Sequence, residues 1–297
     1  MKILRYFKLI LRKLKTASSA VRRRGGTKKS KYVLKVSLYT LLSVLILVTF
    51  AGIYNLFKFQ PEAGEYILGK SVPKQTTFQL PILMYHHIQE DNPSQSDLNN
   101  RLSVLPSEFE NQLKYLNENN FLTLASEQVV AKRIPSNAVW LTFDDGYSDN
   151  FQNTLPLLKK YQAKATFFII SSKVGESGYM NWQQIEELKN AGMEIGCHSQ
   201  THPNLTSLSE TQIKNEIEGC KKDLEEKLGV AIVAFCYPVG EYNQQIVEVV
   251  KQAGFTTATT TNSGIANQDS NLYELPRIRI NPEMSLESFI KVVNVND

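Results

Sequence analysis

Residues 138–146 read AVWLTFDDG, an apolar run that ends in two adjacent aspartates and a glycine. The apolar part has the length and composition of a buried β-strand. Because neighbouring side chains on a strand point to opposite sides, Asp144 and Asp145 cannot share one role. One carboxylate can bind a metal while the other faces a reacting centre as a base. The alternative interpretation is a turn followed by helix capping from Ser148 or Asp149.

Short apolar runs recur on both sides of this stretch, from residue 80 onward, with amphipathic segments between them. This alternation is typical of parallel strands joined by helical crossovers. The predicted strands are 81–86, 138–144, 165–170, 193–198, 232–237, 256–260 and 275–280. The predicted helices are 107–119, 149–161, 182–191, 209–228, 243–253 and 286–293. Periodicity alone does not separate a barrel from an open sheet, but polar clusters at the strand ends favour a closed or nearly closed (β/α) barrel.

The chain contains four histidines, and each lies at the end of a predicted strand or directly after it. His198 and His202 lie in HSQTH, where Pro203 disfavours helix, so both imidazoles are expected to project from a loop. Two neutral imidazoles and one carboxylate leave an open position for water, which is the usual arrangement of catalytic zinc. An HxxxH pair by itself is more often incidental than metal-binding. For His86 and His87 the alternative is packing at a strand end.

Three motifs, taken in order, resemble one enzyme family. They are TFDDG at 142–146, HSQTH at 198–202 and FCYPVGEYN at 235–243. The order and approximate spacing are similar to those of the metal-dependent polysaccharide deacetylases of the NodB-homology type, and the resemblance covers roughly residues 80–280. It implies an α/β fold, a distorted (β/α) barrel with about seven parallel strands.

The resemblance also implies roles for individual residues. The first aspartate of the motif is the family's general base, which is Asp144 here, and the second is a metal ligand. The metal ligands would be Asp145, His198 and His202, and the expected ion is a divalent metal such as Zn2+. The residue before the glycine of the third motif, Val239, would offer its backbone amide to the tetrahedral oxyanion, a role that any residue except proline can fill. An ordinary Pro-Gly turn is the alternative for that segment.

Two features depart from the common pattern of the family. No histidine follows the HSQTH motif, where the catalytic acid is usually found. However, PILMYHHI at 81–88 resembles the N-terminal motif of the circularly permuted branch, which includes poly-N-acetylglucosamine deacetylases, and this implies His86 as the acid. Cys236 stands where the commoner branch has an arginine directed at the catalytic aspartate, and Arg277 or Arg279 is the candidate replacement.

Charge is distributed unevenly along the chain. Residues 1–35 contain 13 of the 33 basic residues and no acidic residue. The rest of the chain therefore has 20 basic and 29 acidic residues. This division argues against nucleic-acid binding by the main domain. Residues 36–57 contain no charge, and 22 residues suffice to cross a bilayer as one helix, with a cleaved signal peptide as the alternative. The basic residues in front of that segment place the N-terminus in the cytoplasm.

We therefore expect a single-pass protein of the cell membrane. Its parts would be a basic cytoplasmic tail at 1–35, a transmembrane anchor at 36–57, an extracellular stalk at 58–79 and a polysaccharide deacetylase domain at 80–297. The oligomeric state does not follow from the sequence, and a monomer is favoured. The three cysteines cannot all pair within one chain, so we expect buried free thiols and no disulfide framework.

The expected activity is hydrolysis of N-acetyl groups from a GlcNAc-containing extracellular polysaccharide. The substrate would be peptidoglycan or a polymer similar to poly-N-acetylglucosamine. Trp182 and Tyr242 lie where loops could stack on a sugar ring, and core or rim packing is their alternative. From another functional class, the alternative is a surface carbohydrate-binding or adhesion protein that has kept the barrel without turnover.

Overall fold

In a computed structural model that describes residues 78–90 and 100–295, the apolar run in front of the two aspartates is a strand whose residues are all buried. The strands are β1 (Gln79–Leu80), β2 (Ile82–Tyr85), β3 (His87–Ile88), β4 (Ser103–Val104), β5 (Leu122–Thr123), β6 (Ala138–Phe143), β7 (Thr166–Ile169), β8 (Glu194–Cys197), β9 (Ala234–Cys236), β10 (Thr257–Ser263), β11 (Ala266–Asn267) and β12 (Leu275–Arg279). The α-helices are α1 (Pro106–Glu118), α2 (Ser126–Val130), α3 (Leu155–Lys160), α4 (Trp182–Asn190), α5 (Glu210–Leu228), α6 (Gln244–Gln252) and α7 (Leu286–Val293), and a π-helical turn at Asn150–Thr154 precedes α3.

Seven parallel strands close into a ring in the order β2, β12, β10, β9, β8, β7 and β6, and β2 pairs with β6 to complete it. The ring is irregular, since the register shifts between β10 and β12 and a single residue pair, Cys197 with Phe235, joins β8 to β9. The prediction of a distorted barrel with about seven parallel strands is therefore confirmed. All seven predicted strands lie in this ring.

Parallel strands of this kind are buried on both faces, and the core accordingly has two layers. On β6, Trp140 belongs to the cluster inside the ring, whereas Leu141 and Phe143 belong to the cluster between the strands and the helices. Alternation along the strand continues past its end, so the side chain of Asp144 follows Trp140 and Thr142 toward the interior. The side chain of the first aspartate thus points into the barrel at the C-terminal ends of the strands.

The six predicted helices are present, and most begin as their sequence indicates. Ser209 precedes α5, and the Gln212 side chain accepts the Ser209 N–H at 3.0 Å, as a capping box requires. The capping predicted for Ser148 or Asp149 is wrong, because no side chain caps the π-helical turn that starts there. The carboxylate of Asp149 is instead bound to His87 and Ile88 in another part of the chain.

The expectation of three free thiols is also wrong. Cys197, at the end of β8, forms a disulfide with Cys220 on α5, and the two Cα atoms are 6.1 Å apart. An odd count leaves only one cysteine over, and the packing of α5 on β8 brings the other two within bonding distance. Cys236 is the remaining thiol and is buried, as expected.

The predicted tail at 1–35, the anchor at 36–57 and all but the last two residues of the stalk lie outside the described residues. No helix in the described part of the chain combines the length and the apolar character that crossing a membrane requires.

Candidate active site

The C-terminal ends of the ring strands surround a cleft of about 550 Å3. All six residues predicted to carry the chemistry line it, namely His86, Asp144, Asp145, His198, His202 and Val239. Parallel strands place their C-terminal ends at one face of a barrel, which explains why residues from four separate segments meet. Trp182 and Tyr242 are not among the lining residues. Trp182 packs against the outer core, and Tyr242 stacks on Tyr237 with ring centroids 4.7 Å apart.

Asp144 is held by a buried arginine. Arg277 of β12 donates two parallel hydrogen bonds to it, from Nη1 to Oδ1 at 2.8 Å and from Nη2 to Oδ2 at 2.7 Å. Burial alone would raise the pKa of Asp144, but the charge and hydrogen bonds of Arg277 hold it well below its usual range. Of the two arginines that the sequence offered, Arg277 is the one that orients the carboxylate, which therefore stays ionised.

Cys236 lies beside this ion pair. Arg277 Nη2 is 3.1 Å from its Sγ, and Asp144 Oδ2 is 3.7 Å from the same sulfur. A cysteine on β9 is small enough to leave room for the guanidinium that arrives from β12. The arginine that the commoner family pattern carries at position 236 is thus replaced in space by one from a different strand.

Asp145 points away from Arg277 and toward the two histidines. Its Oδ1 lies 3.4 Å from His198 Nε2 and 3.5 Å from His202 Nε2, and the three ligand atoms lie within 4.8 Å of one another. Tetrahedral coordination with metal–ligand distances near 2.0–2.2 Å requires ligand separations of about 3.3 to 3.6 Å. The donor set and its spacing therefore fit a zinc-type divalent ion.

The protonation of the histidines supports the same fit. His198 Nδ1 lies 2.8 Å from the carbonyl oxygen of Cys236, so this nitrogen carries the proton and Nε2 faces Asp145. Burial opposes a charged ring, but Cys236, Asp144 and Asp145 raise the pKa of His198 to about 10. Burial and the neighbouring His198 lower the pKa of His202. The carboxylates beside His198 therefore favour a positive charge at this position. A bound cation would supply that charge in place of the proton on His198.

A second set of possible ligands, Asp144, His198 and Cys236, shares one histidine with the first. The guanidinium of Arg277 already binds both the carboxylate and the sulfur, and His198 Nδ1 is used by a backbone carbonyl. A cation in that position would lie against a buried positive charge. Asp145, His198 and His202 are accordingly the set that suits a metal.

The backbone around the cleft is strained. Four non-glycine residues of the site have positive φ: Asp145 (73°), Ser199 (60°), His202 (63°) and Val239 (52°). Such conformations cost free energy, and for a β-branched residue like valine a positive φ is an outlier. Gly240 next to it has φ of 77°, and a Cβ there would lie 1.8 Å from Thr261 Oγ1. The Val239–Gly240 turn therefore has its shape imposed by its surroundings.

The loop that carries the two histidines is fastened to α5. His202 N–H donates to Ser199 Oγ at 2.9 Å, and Thr201 donates its N–H and its hydroxyl to the carboxylate of Glu216 at 2.7 and 2.6 Å. The disulfide described above joins the same helix to the residue before His198. Sequence reasoning missed Glu216, because an acidic residue on a helix surface gives no signal of what it binds.

His86 follows β2, the ring neighbour of β6, and lies beside Asp144. Its Nε2 is 3.9 Å from Asp144 Oδ2, and burial lowers the pKa of the ring to about 4 despite the nearby carboxylates. Its Nδ1 is buried and has no hydrogen-bond partner among the described residues. His87 points elsewhere, as neighbouring residues at a strand end should, and its Nδ1 is 2.7 Å from Asp149 Oδ2.

Tyr147 is a further lining residue that the sequence did not single out. Burial raises the pKa of its hydroxyl, and the neighbouring Asp145 raises it further, so the group stays protonated and can donate to that carboxylate. Its ring stacks on His87 with centroids 3.7 Å apart. Arg279, Asn281 and Glu283 line the cleft where it opens to solvent.

Comparisons with known proteins agree with this geometry. A family model described as polysaccharide deacetylase matches residues 131–258. YxkH of Bacillus subtilis, which is provisionally named a polysaccharide deacetylase, is 35% identical over 216 residues, covering 71% of this chain and 75% of that protein.

One curated relative and one solved structure extend the comparison. The poly-beta-1,6-N-acetyl-D-glucosamine N-deacetylase of Staphylococcus aureus (strain MRSA252) is 29% identical over 236 residues, which covers 70% of this chain and 81% of the relative. The solved structure of the Streptococcus pyogenes deacetylase PplD in complex with acetate superposes with a TM-score of 0.69 at 33% identity, over 72% of this chain and 98% of that one. With a barrel, a carboxylate pair and two histidines arranged at its mouth, this chain belongs to the polysaccharide deacetylase family and is an enzyme that deacetylates a polysaccharide.

Proposed function

We propose that the substrate is a GlcNAc-containing polysaccharide outside the membrane, and that the enzyme removes its N-acetyl groups by hydrolysis with a divalent cation held by Asp145, His198 and His202. The observation that carries the proposal is the separation of the two aspartates. Arg277 donates two hydrogen bonds to Asp144, whereas Asp145 lies at the ligand–ligand distance of a tetrahedral site from two imidazoles. A base beside a three-ligand site is what hydrolysis of an amide by an activated water needs.

In this mechanism Asp144 accepts the proton of the attacking water. The bidentate contact with Arg277 fixes its orientation and keeps it ionised. A bound divalent cation would polarise the amide carbonyl and lower the pKa of the water, which supplies the electrophilic part of the chemistry. The backbone N–H of Val239, in its strained turn at the cleft, is the candidate donor to the oxyanion.

His86 is the candidate proton donor to the departing amine. Because burial lowers the pKa of the ring to about 4, it is neutral in the resting enzyme at neutral pH and must receive its proton during turnover. Asp144, which accepts the water proton in this mechanism, has its Oδ2 3.9 Å from His86 Nε2, and its low pKa makes it release that proton readily. A transfer from Asp144 to His86 therefore completes the cycle within these residues.

Two observations support the extracellular location and the substrate class. Disulfides persist in oxidising compartments, and Cys197 and Cys220 are joined. The Staphylococcus aureus relative is named for a polymer of N-acetylglucosamine. Zn2+ is the expected ion because imidazole nitrogen and carboxylate oxygen are among its usual ligands.

Acetate release by the purified full-length chain tests the proposal. We expect release from poly-N-acetylglucosamine or peptidoglycan that stops with a chelator and returns with added Zn2+, and that falls roughly 10²- to 10⁴-fold in His86→Ala without loss of bound metal. His87→Ala serves as the neighbouring comparison and should retain more activity. Binding of both polymers without any acetate release would instead favour the carbohydrate-binding alternative.

A further inference from the structure

Asp149 is a buried carboxylate that the proposed reaction does not use. Its Oδ2 is 2.7 Å from His87 Nδ1, and its Oδ1 accepts the backbone N–H of Ile88 at 2.7 Å. Both oxygens are therefore directed at the short strand β3, which lies about sixty residues earlier in the chain. Only 9% of the residue is exposed, so water does not compensate for either bond.

Two asparagines of the same turn reinforce this attachment. Asn150 Nδ2 donates to the carbonyl oxygen of His86 at 2.8 Å and to Asp149 Oδ1 at 3.2 Å. Asn153 Nδ2 donates to the carbonyl oxygen of Ile88 at 2.7 Å. The backbone on both sides of position 87 is thus held by side chains that follow the TFDDG motif.

His86 depends on this attachment for its position. The Nδ1 atom of His86 has no hydrogen-bond partner among the described residues, and Nε2 has only the 3.9 Å contact with Asp144 Oδ2, so the ring is weakly held by its own contacts. Catalytic histidines usually have their second ring nitrogen bound, which sets the orientation of the first. His86 lacks that second bond, whereas Asp149 binds the two residues that follow it.

We propose that Asp149 is a positioning residue for the reaction, which sets the place of His86 relative to Asp144 by binding His87 and the N–H of Ile88. The inference rests on the role of His86 in the proposed function. It also gives His87 a purpose without placing it in the cleft: its ring joins Asp149 to Tyr147, on which it stacks at 3.7 Å. The base, the metal ligand and the acid would then share one framework built from residues 144–150.

The variants Asp149→Ala and Asp149→Asn test this inference, with Glu194→Gln as the matched control. Glu194 is also a carboxylate that bridges two segments, since it accepts the N–H of Ser126 at 3.1 Å and the hydroxyl of Thr166 at 2.5 Å, but it lies at the start of β8, at the opposite end of the barrel. We expect Asp149→Ala to lower kcat about 10- to 100-fold with KM and metal content unchanged. Asp149→Asn should recover part of the loss, because its amide oxygen can still accept from Ile88.

Glu194→Gln should lower the melting temperature without a comparable fall in kcat. A purely structural role for Asp149 predicts that kcat follows the melting temperature in all three variants, and that result would overturn the inference. The double variant His86→Ala/Asp149→Ala gives a second criterion. Once His86 is absent, loss of Asp149 should cost little more, whereas additive losses would contradict a role through His86.

Failure of the inference can be told apart from failure of the proposed function. An inactive wild-type chain counts against the function, whereas an active wild type with a fully active Asp149→Ala counts against the inference alone. A crystal structure of Asp149→Ala provides a readout that needs no activity. We expect the His86 ring to be displaced from Asp144 or disordered, and an unmoved, ordered ring overturns the inference.

Discussion

Asp144 and Asp145 are adjacent in the chain and identical in chemistry, yet their surroundings give them different properties. The first continues the inward direction of β6 and meets a guanidinium that balances its charge. The second has φ of 73° and turns toward two imidazoles. A carboxylate held by a fixed cation suits a base that must stay ionised, whereas one that faces two imidazoles suits a metal ligand.

The first prediction separates these two roles. Asp144→Asn should lower turnover by roughly 10²- to 10⁴-fold while the protein keeps its metal, because the amide cannot accept the proton. Asp145→Asn should reduce metal content first, and activity as a consequence. Elemental analysis of both purified variants, beside acetate release, checks the difference. Equal metal loss in the two variants would mean that the assignment of base and ligand is wrong.

The second prediction concerns Arg277 and pH. Arg277 holds the pKa of Asp144 well below its usual range, so the base is ionised at every pH above that low value. Arg277→Lys keeps the charge but loses the bidentate contact, so the pKa of Asp144 should rise and the acid limb of kcat/KM should move to higher pH. The pH dependence of kcat/KM measures this shift.

Arg279→Lys is the control for that experiment, because Arg279 lines the same cleft without a hydrogen bond to Asp144. Its acid limb should remain where the wild-type limb lies. An acid limb that moves equally in both variants would indicate a general effect of charge in the cleft, and not the specific contact with Asp144.

At the scale of elements, the loop between β8 and α5 holds His198 and His202, two of the three proposed metal ligands. Two residues of the five in HSQTH are the proposed ligands, and Ser199 and Thr201 attach the loop, the latter through the carboxylate of Glu216. Positive φ at Ser199 and His202 makes the loop costly to form, so these contacts must offset the strain.

The third prediction follows from that attachment. Glu216→Gln loses the charge-assisted bonds to Thr201, and we expect the affinity for Zn2+ to fall about 10-fold or more, as loss of groups that support metal ligands generally does. Competition with a chromogenic chelator measures the affinity. Glu210→Gln on the same helix is the matched control, because its partner is the exposed Lys214 and it should leave Zn2+ binding unchanged. Equal affinities in both variants would exclude a role of Glu216 at the site.

At the scale of the whole molecule, the fourth prediction concerns where the barrel lies. The basic residues in front of residues 36–57 predict a cytoplasmic N-terminus and an extracellular barrel. Protease added to intact cells should therefore release a soluble fragment that begins within residues 60–79. Mass determination of the fragment checks the cut site. A barrel that is protected until the cells are lysed would reverse the orientation and remove an extracellular polysaccharide from the possible substrates.

The length of each element explains which parts of the fold were predictable. The seven ring strands and six helices follow from local apolar patterns, because each is long enough to show its period. The pairs β1 with β11 and β3 with β4 were missed, since a strand of two residues has no period. The disulfide was missed because its two cysteines are 23 residues apart and belong to different elements.

The sequence by itself indicated the barrel and the residues that face the cleft, because polar residues at the ends of apolar runs must collect at one face of a parallel barrel. The family followed from the resemblance of three motifs. Only the tertiary structure decided what those residues touch. Arg277 and Asp144 are 133 positions apart and meet because β12 and β6 both pair with β2. Asp149 has the local sequence of a helix cap, yet its carboxylate binds His87 and Ile88 of the short strand after β2 and caps no helix. Local patterns report burial and period, whereas the choice of partner depends on which distant strands become neighbours when the ring closes.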